Sequence, residues 1–126
     1  MTNKIQLEDY YPFLNPHAKT LMEEYKIAHE NKMWATIIIL SLTIIDNILS
    51  DENCLEHIDG LDLNELKKSR DMHWLRSRRN KILHYEGPTE GFYGSKDSLR
   101  VLKLDADRAN KVINECFSKL FNKNLY

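Results

Sequence analysis

The chain has 126 residues, 42% of them hydrophobic and 29% charged, with a formal net charge of −1. That is enough for one domain with a real core and too little for two. The composition is ordinary for a soluble globular protein, and the near-neutral balance argues against a general nucleic-acid coat protein. Cys54 and Cys116 show neither a CxxC pair nor metal-ligand spacing and read as reduced thiols rather than a disulfide.

Residues 1–14 read as an arm. Met1-Thr2-Asn3-Lys4 leads into no apolar run, so no signal peptide is expected. Tyr10-Tyr11-Pro12-Phe13 is aromatic and broken by proline, which predicts an extended segment packed down on the body. Asn15-Pro16 is a helix start, with Asn at the cap and Pro in the first turn. Ala18, Leu21, Met22, Tyr25 and Ala28 then recur at helical steps and predict an amphipathic helix to about Glu30. Asn31 is a candidate cap for a second helix reaching about Ser50.

That second helix carries Trp34, Ile37, Ile38, Ile39, Leu40, Leu42, Ile44, Ile45, Ile48 and Leu49, apolar on nearly every side, with Asp46 as its lone acid. It falls short of the roughly 20 apolar residues of a membrane span, and with no span in view the cytoplasm is the default location. A helix so apolar has to be covered on most faces. In a small domain a second copy of the chain is one way to cover it, hence an expectation of a homodimer. Asp51 to Asp62 reads as a polar connection and Leu63 to His84 as helical, with a break near Ser69-Arg70. The stretch Gly87-Pro88-Thr89-Glu90-Gly91-Phe92-Tyr93-Gly94 ends that helix. A last helix is expected from about Asp105, with Ala109, Val112, Ile113, Cys116, Phe117 and Leu120 in period. The fold class is all-α: a single up-down bundle of four to five helices over residues 1–126.

The chemistry-bearing residues crowd into one predicted helix. Between Lys67 and Lys81 lie Lys67, Lys68, Arg70, Arg76, Arg78, Arg79 and Lys81, opposed only by Asp71. Such a strip is either a solvated face or the footprint of a polyanion. Projected at about 100° per residue, Met72, Leu75, Ile82 and Leu83 define an apolar face with Arg79 at its middle. Asn80, His84 and His73 form a separate stripe, with Asn80 and His84 one turn apart and within hydrogen-bonding reach. Arginine offers a rigid fork of donors suited to phosphate, and histidine exchanges protons near neutrality. A guanidinium on an apolar face has to be paired or to face a cleft. One reading is therefore a structural ion pair between Arg79 and Asp46. The other is a site in which Arg79, Asn80 and His84 handle a phosphodiester, flanked by Arg76, Arg78, Lys81, His73 and Tyr85 as RNA contacts. His17, His29 and His57 read as structural, and neither reading uses a metal or cofactor.

The order Arg79-Asn80-x-x-x-His84 near the end of a late helix, after an apolar helix with a lone acid at Asp46, resembles the HEPN family of small helical domains across roughly residues 15–121. The resemblance implies a homodimer whose two Arg-His motifs meet in one composite site. It implies a metal-independent endoribonuclease acting on single-stranded RNA, as in many toxins and anti-phage effectors. Arg79, Asn80 and His84 would be catalytic, with Asp46 in support. Some such toxins pair with a nucleotidyltransferase-type antitoxin that modifies a tyrosine two positions beyond the histidine. Here Glu86 stands at that position, with Tyr85 directly after His84 and Tyr93 further on. The alternatives are a catalytically inactive HEPN-like dimeric binding or regulatory module and, more remotely, a nucleotide pocket between protomers.

Overall fold

A computed structural model describes residues 9–56, 58–84 and 96–125. After a 3₁₀ turn at Tyr11–Phe13 come five helices: α1 (Pro16–Glu30), α2 (Trp34–Leu49), α3 (Gly60–Lys67), α4 (Arg70–His84) and α5 (Lys96–Leu125). There is no strand among the described residues, and the expected all-α bundle is the fold. No described helix is long and apolar enough to cross a membrane. His57 and the Gly/Pro stretch 87–94 lie outside the described residues, as do Tyr85, Glu86 and Tyr93.

The helix ends follow from local chemistry. Asn15 caps α1 by accepting from the Ala18 N–H at 2.8 Å. Its Nδ2 donates to Asn47 Oδ1 at 3.0 Å and Asp51 Oδ2 at 2.9 Å, tying the start of α1 to the end of α2. Asn31, expected to open α2, closes α1 instead, with its side chain donating to the Ile27 carbonyl at 2.9 Å. Lys32 then sits at φ 55°, and the Met33 N–H reaches back to the Ala28 carbonyl at 2.9 Å. This is the left-handed closure usually made with glycine. The break near Ser69 is real: Ser69 Oγ accepts from the Met72 N–H at 3.2 Å and restarts the chain as α4.

α2 runs antiparallel to α1 and is flanked by α5 and α4. Ile37, Ile38, Leu42, Ile44, Ile45 and Ile48 are fully buried, and Trp34, Ile39, Leu40 and Leu49 are partly buried. The chain's own helices thus supply most of the cover that this helix needs. Three neutral polar side chains inside this three-helix core bond to one another. Tyr25 donates to Asn110 Oδ1 at 2.7 Å and accepts from Ser41 Oγ at 3.3 Å, joining α1, α2 and α5 in one register.

Two boundaries differ from the sequence reading. The arm is packed down as expected but is not extended over its described part: Tyr10 and Leu14 are buried, with the 3₁₀ turn between them. The rings of Tyr10 and Phe13 lie 5.6 Å from those of Phe117 and Phe121, respectively. α5 begins nine residues before Asp105, because Leu102 continues the buried stripe of Ala106 and Ala109. Asp105 is spent on a side-chain contact rather than a cap.

Candidate functional site

Helix α4 holds the site residues, and its rotation decides what each can do. The described structure buries Met72, Leu75 and Arg78, leaving Arg79 and Asn80 half-buried and Leu83 exposed. The buried arc of Met72, Leu75 and Arg78 is centred on Leu75, whereas the apolar set of Met72, Leu75, Ile82 and Leu83 is centred nearer Arg79. Arg78, expected among the RNA contacts, is therefore the arginine of the buried face. Its Nε donates to Asp105 Oδ2 at 2.6 Å, with side-chain exposures of 7% and 24%. It is held inside the fold and is withdrawn from any surface that meets a polyanion. Asp105 comes from the following helix, where a search for partners on the preceding helix does not reach.

The Asp46 partner also changes. Asp46 takes both Nη groups of Arg76, at 3.0 and 3.4 Å, in place of Arg79. Arg108 on α5 pairs with Asp71 at 3.1 Å while its guanidinium carbon lies 4.2 Å above the Trp74 ring. Trp74 is thus covered by an arginine and is not an open stacking platform.

Arg79 stands apart from these three. Its Nε donates to the side-chain oxygen of Asn80 at 3.1 Å, and among the described residues no carboxylate reaches it. Asn80, which holds it, shares a stripe of the helix with His84 one turn further along. His84 is exposed at the last position of α4, and no hydrogen bond or ion pair to it occurs among the described residues. His73 and Lys81 are exposed on the same helix. Arg79 and Asn80 are therefore in contact, with His84 nearby on the helix surface and unengaged. Tyr85 falls outside the described residues.

Other chemistry in the chain is closed or unconnected. Burial pushes the Cys116 thiol up to about 12. Burial and the neighbouring Asp51 carboxylate push Cys54 up to about 12. Neither thiol is a nucleophile near neutrality. Asp51 is held below the usual carboxylate range, first by the Asn15 side chain and then by the Asn53 N–H. It faces an open depression with Asn15, His17 and Asn47. Among the described residues no group of three or more His, Cys, Asp or Glu could hold a metal ion.

Comparison of the chain with protein-family models, with curated proteins and with solved structures yields no match.

Proposed function

We propose that this chain is a HEPN-like, metal-independent endoribonuclease acting on single-stranded RNA at a site built from Arg79, Asn80 and His84. The observation that carries the reading is the state of Arg79: a half-buried guanidinium with a neutral partner on Nε, where Arg76, Arg78 and Arg108 each hold a carboxylate. An arginine kept charged and unneutralised on a helix that also presents an exposed histidine is suited to a phosphate group, and two copies of the chain could bring the two groups together.

In the reaction the ribose 2′-oxygen attacks the adjacent phosphorus, and the bond from phosphorus to the 5′-oxygen breaks. A base takes the 2′ proton and an acid delivers one to the leaving oxygen. The ends are a 2′,3′-cyclic phosphate and a 5′-hydroxyl. His84 serves as one of these proton carriers, and Arg79 stabilises the charge growing on the phosphoryl oxygens. One exposed histidine beside Arg79 supplies one proton carrier, so a second copy of the chain would provide the other across a shared site. This requirement, not the covering of α2, now supports a homodimer. DNA, lacking the 2′-hydroxyl, would bind without being cut. Partners on this reading are RNA, a second copy and, if the protein is a toxin, an antitoxin of the nucleotidyltransferase type. A cytoplasmic role as toxin or anti-phage effector belongs to the same proposal.

A second reading has its own support. With Arg76 and Arg78 taken by Asp46 and Asp105, the basic strip offers fewer free cations than its sequence suggests. A non-catalytic binding module would need no more. Incubation of the purified protein with mixed RNA in EDTA, beside Arg79→Ala and His84→Ala, separates the two. Cleavage lost in both variants with helicity retained supports the nuclease, and intact RNA in every lane supports the module.

A further inference from the structure

Resting on that reading, we infer that Asn80 is a positioning residue for Arg79, not a partner of His84 or a direct ligand of phosphate. Neighbouring residues on a helix point about 100° apart and do not ordinarily meet. The 3.1 Å bond from Arg79 Nε to Asn80 Oδ1 therefore spans that angle, tying the arginine to the stripe of the helix that Asn80 shares with His84. Asp46 is meanwhile engaged by Arg76.

The choice of atoms gives the contact its use. Nε is the inner donor of the fork, so holding it leaves both Nη nitrogens, with four N–H groups, for an incoming anion. The acceptor is an amide, which fixes the direction of the guanidinium without cancelling its charge. The contrast with Arg76, Arg78 and Arg108 is chemical: carboxylates hold those three as structural ties, whereas a neutral oxygen holds Arg79 as an open anion receptor. Asn80 is thereby a determinant of specificity for anions, and its neutrality matters as much as its hydrogen-bonding oxygen.

The test uses the full chain with Asn80→Ala and Asn80→Asp, folding being followed by circular dichroism. Three quantities are read: the Arg79 Nε–H signal in ¹⁵N NMR, assigned through Arg79→Lys; the His84 titration curve; and affinity for a 2′-deoxy oligonucleotide. Asn80→Ala is expected to move the Nε–H signal, speed its exchange with water and leave the His84 curve in place. Asn80→Asp is expected to keep the bond yet lower oligonucleotide affinity about tenfold, since a carboxylate now occupies the receptor. In cleavage, Asn80→Ala should reduce kcat by about tenfold to a hundredfold with a smaller change in KM, the mark of a misaimed group. A His84 curve that moves in Asn80→Ala while the Arg79 signal stays put overturns the inference, and so does undiminished oligonucleotide binding by Asn80→Asp. If the wild type cuts no RNA, the nuclease reading falls, while the NMR and binding measurements still decide the role of Asn80.

Discussion

The α1–α2–α5 core and helix α4 face the same problem, polar groups within or against an apolar body, and solve it differently. In the core Tyr25, Ser41 and Asn110 are neutral and bond to one another across three helices. On α4 charged groups form ion pairs with its neighbours: Arg76 with Asp46, Arg78 with Asp105, and Asp71 with Arg108. A neutral network sets register at little electrostatic cost, and an ion pair ties a basic helix to its neighbours. Arg79 is an exception to both rules, half-buried and cationic yet held by an amide, whereas Arg70 and Lys81, also without a carboxylate among the described residues, are exposed to solvent.

The largest effect should come from removing that exception. Arg79→Ala is expected to lower the rate of RNA cleavage by about 10²- to 10³-fold, and His84→Ala by about 10²- to 10⁴-fold. Melting temperatures should stay close to the wild type, because neither side chain carries an ion pair of the fold among the described residues. A variant that loses activity and stability together would move Arg79 into the structural class.

Next in size is the buried tie. Asp105→Ala leaves the Arg78 guanidinium inside the fold without this carboxylate and should cost about 3 kcal/mol in urea unfolding. Arg78→Met, which removes the charge and keeps the volume, should cost under about 1 kcal/mol. Equal losses in the two variants would mean that the pair itself is net stabilising.

The core's neutral network predicts a change of about 2 kcal/mol for Tyr25→Phe, since Asn110 and Ser41 lose their partner. It also predicts alkaline weakness. Burial raises the Tyr25 phenol well above its ordinary 10.0 and Cys116 from 9.0 to about 12. Both keep their protons in the folded chain while the unfolded chain ionises first. Stability from this source is therefore complete below about pH 9 and is lost as pH rises through the alkaline range. Urea midpoints between pH 7 and 11 check the slope. The combination of Tyr25→Phe with Cys116→Ala should reduce it, leaving the share from Cys54, whose thiol is raised in the same direction.

Most of the fold was legible because it rests on local rules. Asn15 and Pro16 announce α1, Ser69 announces the restart at α4, and the isoleucines of α2 declare a buried helix. The errors fall where the deciding partner is distant in sequence. Asp105 cannot be matched to Arg78 without knowing that α4 and α5 are antiparallel neighbours, and with that match missing the arginines at 78 and 79 exchanged roles. Asn31 was placed at the wrong helix end because asparagine serves at either, and only the turn through Lys32 decides. For the candidate site, the residue types and their crowding on one helix were readable. The contact of Arg79 with Asn80 was not, since adjacent residues are expected to diverge.

Lys32 offers a smaller test on the core side. At φ 55° it occupies a conformation that costs a side-chain-bearing residue about 1 kcal/mol. Lys32→Gly relieves that strain at some entropic loss in the unfolded chain. A net gain of about 0.5 kcal/mol is expected, visible as a raised urea midpoint with unchanged m. A loss would show that the lysine contributes more through its side chain than its backbone costs.

The smallest effect tests the assignment of Asp46, and with it the separation of tie from site. Both members of the Asp46–Arg76 pair are exposed, at 41% and 46%, so solvent screens the attraction, and its worth is about 0.5 kcal/mol, falling with added salt. A double-mutant cycle of Asp46→Ala with Arg76→Ala should return a coupling of that size. The parallel cycle with Arg79→Ala should return none, because the Arg79 guanidinium is turned toward Asn80. In cleavage assays Asp46→Ala should leave the pH profile as in the wild type, since the carboxylate holds Arg76 and not the reacting groups. Coupling between Asp46 and Arg79 would restore the ion pair that the apolar pattern alone suggested. It would also remove the feature on which a phosphate-binding Arg79 depends, an arginine without a carboxylate of its own.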